Sequence, residues 1–569
     1  MNAAELTVLS HRFDGVARKM SNVLLRTGRS GVLNRGKDLS CCIVSRDCEL
    51  ITAAESLPIH VLSGPDIMAR WMHAFHPVLR PGDAFLENSP YHGCSHPADH
   101  TLIVPVFDDD EVHQFTVMAK AHQADIGNSQ PTTYFAAATD VYNEGALLFP
   151  SVQVQRDYEV IDDIVRMCEL RIRVPEQWRG DFLAMIGAAR VGEQALKALA
   201  ADYGWARLQA FATEWLDYGE RTMAEVIHRL PAGQARATST HDSMFGMPTE
   251  GLAISADVSI FPEEGRIRVD MTDNPDCLAS GFNLSESCSR SAAYLGVLNS
   301  IGVEMPRGGG ALRRIDVRLR DNCVVGIPSH PTSCSVATTN VADRATAATQ
   351  KAFAMIADEL GMAEVGAINA PAKGVISGID ERTGKAYINQ LFLGNTGGPG
   401  TRNGDGWLTY SHVGNGAMAF VESIEMAELH HPIVIERRML VPDSEGAGKY
   451  IGAQSLQIEF GPVGSPMTVV YASDGNVNAA EGIQGGGCGG PARQSIVRPG
   501  GEVEALPSAA KILIVPGERV VSVSTGGGGF GDPRARDRAL VEQAVQDGLL
   551  TLERALNVYG IDLRAGSDL

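Results

Sequence analysis

One stretch, residues 88–125, constrains this chain more than any other. Pro90, Gly93 and Pro97 break its first part, Asn88-Ser-Pro-Tyr-His-Gly-Cys-Ser-His-Pro-Ala-Asp-His100, into a turn-rich loop. Thr101-Leu-Ile-Val-Pro-Val-Phe107 predicts a strand, Asp108-Asp-Asp110 a turn, and Gln114-Phe-Thr-Val-Met118 the returning strand of a hairpin. A hairpin of that length brings its open ends together, so His96 and Asp99 are expected beside His122. His92, His100 and Asp125 fall in the same stretch, in a chain of only 15 histidines. Imidazole and carboxylate groups from a loop and a neighbouring strand end are the donors a catalytic divalent metal takes, with one position left open for water. The alternative is a polar loop whose histidines merely hydrogen-bond to backbone. Two His-x-x-Asp pairs across one hairpin favour the metal. No Cys-x-x-Cys occurs, so a catalytic or substrate-facing ion is expected rather than a closed structural one.

At 569 residues the chain exceeds one compact core, and about two to four domains are expected. A formal net charge of -20 leaves no basic face to neutralise phosphates, which argues against nucleic acid and against an anionic membrane surface. No apolar run approaches the ~20 residues that span a bilayer. Met1-Asn-Ala-Ala-Glu-Leu6 has neither the basic nor the apolar region of a signal peptide. The 10 cysteines show no framework spacing and are expected as reduced thiols, so the expected location is cytoplasmic. Glycine stands out at 61 residues, in runs such as Gly308-Gly-Gly310, Asn395-Thr-Gly-Gly-Pro-Gly400, Gly485-Gly-Gly-Cys-Gly-Gly490 and Gly526-Gly-Gly-Gly529. None ends in the Gly-Lys-Ser/Thr of a P-loop, so structural loops are expected and no nucleotide site is assigned to this chain.

Apolar spacing predicts an opening helix over 6–25, a hairpin over 38–44 and 49–53, and helices over 63–75, 161–170, 178–203 and 208–230. Asp38, at the mouth of the first strand, either caps a turn or reaches a neighbouring site. Pro231-Ala-Gly233 marks a boundary. Beyond it, strands are expected at 252–261, 266–271, 315–319, 387–393, 433–440, 455–460, 467–472, 511–515 and 519–524. Helices are expected at 287–302 and 340–360. The expected fold is α+β. An N-terminal α/β metal-binding region with long helices (1–235) precedes a Gly-rich domain of mixed, largely antiparallel sheet with packed helices (236–532). A helical tail (533–569), docked on the body or on a partner, closes the chain.

Several motifs together resemble the hydantoinase B/5-oxoprolinase family, the metal-bearing subunit of two-component ATP-dependent enzymes. Lys37-Asp-Leu-Ser-Cys41 is similar to its Arg-Asp-Phe-Ser-Cys, and Leu57-Pro-Ile-His60 to its Ile-Pro-Val-His. Asn88-Ser-Pro-Tyr91 with Ser95-His-Pro-Ala-Asp99 resembles its Asn-Asp-Pro-Tyr and Thr-His-Leu-Pro-Asp, and Ala121-His-Gln-Ala-Asp-Ile-Gly127 its Gly-His-His-Ala-Asp-Ile-Gly. Arg190-Val-Gly-Glu193, Ser280-Gly-Phe-Asn-Leu284, Pro442-Asp-Ser-Glu-Gly-Ala-Gly448 and Thr525-Gly-Gly-Gly-Gly-Phe-Gly-Asp-Pro533 resemble later landmarks. Cys94-Ser95, Pro97-Ala98 and Gln123 depart from the pattern without removing a ligand.

The resemblance implies a subunit that hydrolyses cyclic amides (hydantoins, 5-oxoproline, other lactams) with ATP. The sister branch carboxylates ketones such as acetone and acetophenone. It implies zinc or manganese held by Asp38, His96, Asp99 and His122. ATP and Mg would sit on a separate hydantoinase A-like partner, in a hetero-oligomer such as (AB)2, with bicarbonate as a possible co-substrate. Asp125 or Glu144 would act as general base or orient the ligands, unless they are surface or capping carboxylates. Asn395, Ser411 and His412, beside glycine loops, would line the substrate pocket, unless His412 is a satisfied core histidine. A non-enzymatic scaffold holding a structural metal is the remaining alternative.

Overall fold

The computed structural model describes residues 1–53, 55–416 and 419–563. The chain forms two compact units. Unit 1 contains Met1–Gln234, Val258–Leu295 and Val303–Thr338; unit 2 contains Ala235–Asp257, Gly296–Gly302 and the chain from Thr339 onward. This differs from the three-part division expected at 235/236 and 532/533. Two later segments return to unit 1, and the terminal helices Arg538–Gln546 and Leu552–Asn557 belong with unit 2. No change of composition marks either excursion. Residues 564–569 of the expected tail lie outside the described residues.

Unit 1 is built on a seven-stranded antiparallel sheet. Its strands are β1 (Leu39–Ser45), β2 (Leu50–Thr52), β3 (Ala84–Glu87), β4 (Asp99–Phe107), β5 (His113–His122), β6 (Val152–Arg156) and β7 (Glu159–Val160), in the order β2-β1-β5-β4-β3-β6-β7. Alternation along the strands separates two cores. Ile43, Leu102, Val104, Phe115, Val117 and Ala119 face the long helices Ala3–Thr27, Pro175–Tyr203 and Trp205–Ile227. Asn2 caps the first helix with its side chain, and Leu9, Phe13, Val16, Met20 and Leu24 form the buried stripe that its spacing predicts. Phe13 sits between Phe115 and Phe211, with ring centroids 5.4 Å and 4.8 Å away. Cys42, Val44, Ile103 and Met118 face the other side, against Met68 and Met72 of the helix Pro65–Phe75.

Unit 2 holds a four-stranded and a five-stranded sheet, both antiparallel. They share one apolar core that includes Ile376, Leu391, Ile435, Ile458, Phe460, Val469 and Val520. Its glycine runs are not surface loops. Segments around 397–400, 446–453, 486–490 and 526–529 lie backbone against backbone, and a methyl on Gly397, Gly446, Gly452 or Gly527 would collide with a neighbouring carbonyl oxygen. Amides bind these segments together: Ala453 N–H donates to Gly398 at 2.8 Å, Gly400 to Gly528 at 2.8 Å and Gly529 to Gly487 at 2.9 Å. The expected α+β class, with antiparallel sheets and packed helices, is the fold observed.

Candidate metal centre

Three neighbouring strand ends set up the centre in unit 1. Asp99, the first residue of β4, pairs directly with His122, the last of β5. Leu39 pairs with Ala121, so Asp38, just before β1, lies across from His122, whose N–H donates to the Asp38 carbonyl at 3.2 Å. Strands stand about 4.8 Å apart, and residues at matched register share a face. Asp38, His122 and Asp99 are therefore abreast on the side away from the long helices. The loop before β4 adds His96, and the short helix Pro58–Val61 adds His60.

His96 Nδ1 donates to the Ser335 carbonyl at 2.9 Å, which turns Nε2 inward. That Nε2 is 3.3 Å from Asp99 Oδ1 and 3.3 Å from His122 Nδ1, and His122 Nδ1 is 3.2 Å from Asp99 Oδ1. The other His122 nitrogen meets Thr133 Oγ1 at 3.1 Å. Donors bound at about 2.1 Å to a tetrahedral ion stand about 3.4 Å from one another, close to these separations. A proton or a cation must lie among three such acceptors. His60 Nε2 is 3.1 Å from Asp99 Oδ2 and 3.8 Å from Asp38 Oδ1, while its Nδ1 meets Ser40 Oγ at 3.1 Å. Asp38 Oδ1 is buried without a hydrogen-bond partner. Two sets, His96–Asp99–His122 and Asp38–His60–Asp99, each place their ligand atoms within 4.8 Å of one another and share Asp99. An orphaned carboxylate oxygen beside converging imidazoles fits a divalent cation of zinc or manganese type.

Burial pushes the Asp99 carboxyl up, but His60, His96 and His122 outweigh it and hold it well below the ordinary carboxylate range. Burial works against a charge on His96 as well, and Asp99 overcomes it, so its imidazole holds a proton more firmly than usual. Tyr134 stacks on both rings, with centroids 5.5 Å from His96 and 5.3 Å from His122.

The structure brings Asp38, His96, Asp99 and His122 together, and adds His60. His60 lay in a quoted motif, yet no spacing tied it to the hairpin; only the fold of residues 57–61 over β1 does so. Asp125 is not at the cluster's disposal. Its carboxylate accepts from Arg173 N at 2.6 Å, Arg173 NH1 at 3.0 Å and Gly127 N at 3.1 Å, which pins the turn after β5. Glu144 is buried; Oε2 accepts from Ser333 Oγ at 2.8 Å, Oε1 has no hydrogen-bond partner, and burial raises its carboxyl. His100 points to the opposite face, beside Phe149 and Trp178, where burial pushes it down to about 3. His92 meets Ser89 Oγ at 2.8 Å and packs on Trp71 and Phe75.

Asn395, Ser411 and His412 belong to unit 2. A bridge between Thr396 and Tyr410 sets the Asn395 and Ser411 segments side by side. Asn395 donates to the Thr409 carbonyl at 3.2 Å, Ser411 Oγ is 3.5 Å from Lys373 Nζ, and His412 Nδ1 is 3.0 Å from Asp343 Oδ1.

An α+β chain with this centre falls into a known class: it belongs to the hydantoinase B/oxoprolinase family, whose family model matches residues 2–533. It is homologous to the caprolactamase subunit beta of Pseudomonas jessenii, with 28% identity over 570 residues, covering 98% of this chain and 95% of that protein. The crystal structure of the ATP-dependent caprolactamase from Pseudomonas jessenii superposes with a TM-score of 0.89 at 25% identity, covering 99% of this chain and 97% of that one. A nucleotide-free acetone carboxylase shares the fold, with a TM-score of 0.88 at 16% identity over 99% of this chain and 80% of that one. Among the described residues, no helix is long and apolar enough to cross a membrane.

Proposed function

We propose that this chain is the metal-bearing subunit of a two-component, ATP-dependent hydrolase of cyclic amides, of the hydantoin, 5-oxoproline or lactam type. The observation that carries this reading is the pair of clusters His96–Asp99–His122 and Asp38–His60–Asp99, which share Asp99 and leave one Asp38 oxygen unanswered, in a chain alike over nearly its full length to a caprolactamase subunit. Amides are poor electrophiles, so the reaction is coupled to ATP bound with Mg on a hydantoinase A-like partner. There it activates the amide oxygen or an added bicarbonate.

Asp38, His96, Asp99 and His122 would hold a zinc or manganese ion, with His60 against both carboxylates. The ion supplies a Lewis acid for the carbonyl and makes a water acidic near neutral pH. The chain's own groups do the rest. The Ser335 carbonyl fixes the His96 tautomer, and Thr133 orients His122. Glu144, whose carboxyl burial raises and whose Oε2 accepts from Ser333, keeps Oε1 unpartnered and is the group put forward as general base or as an orienting group. Asp125, spent on Arg173, is not the base.

The test uses the chain purified with the partner it assembles with. ATP-dependent ring opening of a lactam, 5-oxoproline or hydantoin panel, with stoichiometric divalent metal and none by the chain alone, supports the reading. Turnover by the chain alone sinks it. Retention of labelled bicarbonate carbon in a ketone product gives the site instead to a ketone carboxylase. The mass of the assembly checks the (AB)2 arrangement.

A further inference from the structure

A cavity of about 320 Å³ in unit 1 has no residue of the metal centre in its wall. Two helices supply most of its charge. Asp66 and Arg70 lie one turn apart on the helix Pro65–Phe75. Glu286, Arg290 and Tyr294, at successive steps of four residues, put one face of the helix Glu286–Ile301 on the cavity. Leu50, Leu62 and Leu312 add apolar wall. At about 30 Å³ for each water-sized group, the space holds a chain of roughly ten non-hydrogen atoms.

The wall carries three guanidiniums, Arg70, Arg290 and Arg313, and three carboxylates, Glu49, Asp66 and Glu286, so a ligand of one sign meets as much repulsion as attraction. These groups are not equally committed. Arg313 donates to both Glu49 oxygens and to Asp217 and Glu220, which closes that corner. Asp66 accepts from Gly64 N–H through Oδ1 at 2.9 Å and from Arg70 through Oδ2 at 2.6 Å. Arg70 meets Asp66 through one terminal nitrogen, which leaves Nε and the other terminal nitrogen for a ligand. Arg290 sets Nε and a terminal nitrogen on a single Glu286 oxygen, at 2.9 Å and 2.8 Å, so Glu286 keeps its second oxygen. The uncommitted cation and the uncommitted anion therefore stand on different helices.

We infer that this cavity binds a small amino acid as its zwitterion, with the carboxylate on Arg70, the ammonium on Glu286 and a methylene chain along the leucines. A lactam opened by water yields a molecule of that make-up. Identifying the ligand with the product rests on the hydrolase reading above; the site itself does not.

The test is calorimetric titration of the full chain, purified with its partner and without ATP, using 6-aminohexanoate, hexanoate and hexylamine. A hydrogen bond to a charged group is worth about tenfold or more. The zwitterion is therefore expected to bind at least about tenfold more tightly than either singly charged probe. Arg70→Met should lower its affinity to that of hexylamine, and Glu286→Gln to that of hexanoate, while Arg70→Lys, which keeps the charge, retains most of it. Both side chains are partly exposed, Arg70 at 56% and Glu286 at 29%, so neither substitution empties a core. Asp99→Asn separates this cavity from the metal centre, since binding at the cavity persists in that variant. Equal affinity for the three probes, or zwitterion binding unmoved by both Arg70→Met and Glu286→Gln, overturns the site. Binding lost in Asp99→Asn and indifferent to Arg70 gives the zwitterion to the metal centre and overturns it too. A complex that opens no ring yet binds the zwitterion through Arg70 removes the product identity and keeps the site. One that opens rings without Arg70-dependent binding removes the site alone.

Discussion

Each unit buries a knot of ionisable side chains, and the two knots are completed in opposite ways. In the knot of unit 2, Asp474, Glu364 and Glu481 each meet a base. Arg344 donates to Asp474 at 2.8 Å, to Glu364 at 3.1 Å and to the Asn478 carbonyl at 2.6 Å, while Lys351 reaches Glu364 at 3.2 Å and also pairs with Glu481. Asp242 takes the backbone N–H groups of Asn476, Val477 and Asn478. Burial works against both charges of the Arg344–Asp474 pair, yet each partner keeps the other ionised. In unit 1 two carboxylates face three imidazoles, one carboxylate oxygen has no hydrogen-bond partner, and Lys120 reaches Asp99 through Ser95. A knot answered by the chain's own donors holds a fold together; one left with an unanswered oxygen is an arrangement that a cation would complete.

The sharpest way to break this contrast is Asp99→Asn. It is expected to remove the bound divalent ion, read by elemental analysis, and to lower turnover of the assembled enzyme by more than roughly 1000-fold, since catalytic ions contribute several kcal/mol. Full metal content in that variant would put unit 1 in the same category as unit 2. Next is Arg344→Met, which takes the guanidinium from Asp474 and leaves Glu364 with Lys351 alone. A loss of about 3–5 kcal/mol in urea unfolding is expected, with the metal content of the chain unchanged. A third effect concerns acid. Burial lowers His113, at the start of β5, from 6.5 to about 4. The unfolded chain then binds a proton that the folded chain refuses, so stability is full above about pH 6.5 and falls as pH drops towards 4. The slope is up to about 1.4 kcal/mol per pH unit. His113→Gln should flatten that part of the stability–pH curve; an unchanged slope would assign the acid sensitivity elsewhere. The smallest change is Thr133→Val, which leaves His122 without its hydroxyl partner and is expected to weaken metal affinity about 10–100-fold in chelator competition. An affinity equal to the parent's would show that Thr133 does not orient His122.

Much of this was legible in the residues. The periodicity of 6–25 matches the helix Ala3–Thr27, and the apolar runs at 433–440 and 467–472 match the strands Ile433–Leu440 and Met467–Ala472. The hairpin logic places His96, Asp99 and His122 together because an antiparallel register leaves little freedom. Short strands escaped notice where alternation has too few residues to show, as in Ala84–Glu87 and Val503–Leu506, or where Gly378 interrupts it in Val375–Asp380. His60 escaped because its approach depends on a loop folding over β1. Asp125 misled because His-x-x-Asp spacing says nothing of Arg173, which reaches it from another part of the chain. Discontinuous units escape any linear reading, since the chain's returns to unit 1 are tertiary events.

The side-chain-free packing in unit 2 has a thermal consequence. Cohesion there comes from amides meeting carbonyls, so melting that region wets little hydrocarbon and adds little to the heat-capacity increment, which follows apolar exposure. Chilling, which erodes oily cores, should leave it largely untouched. Its evolutionary freedom is just as narrow: Gly397, Gly446, Gly452 and Gly527 are already the smallest residues there are, so mutation at them has only one direction to go, towards collision.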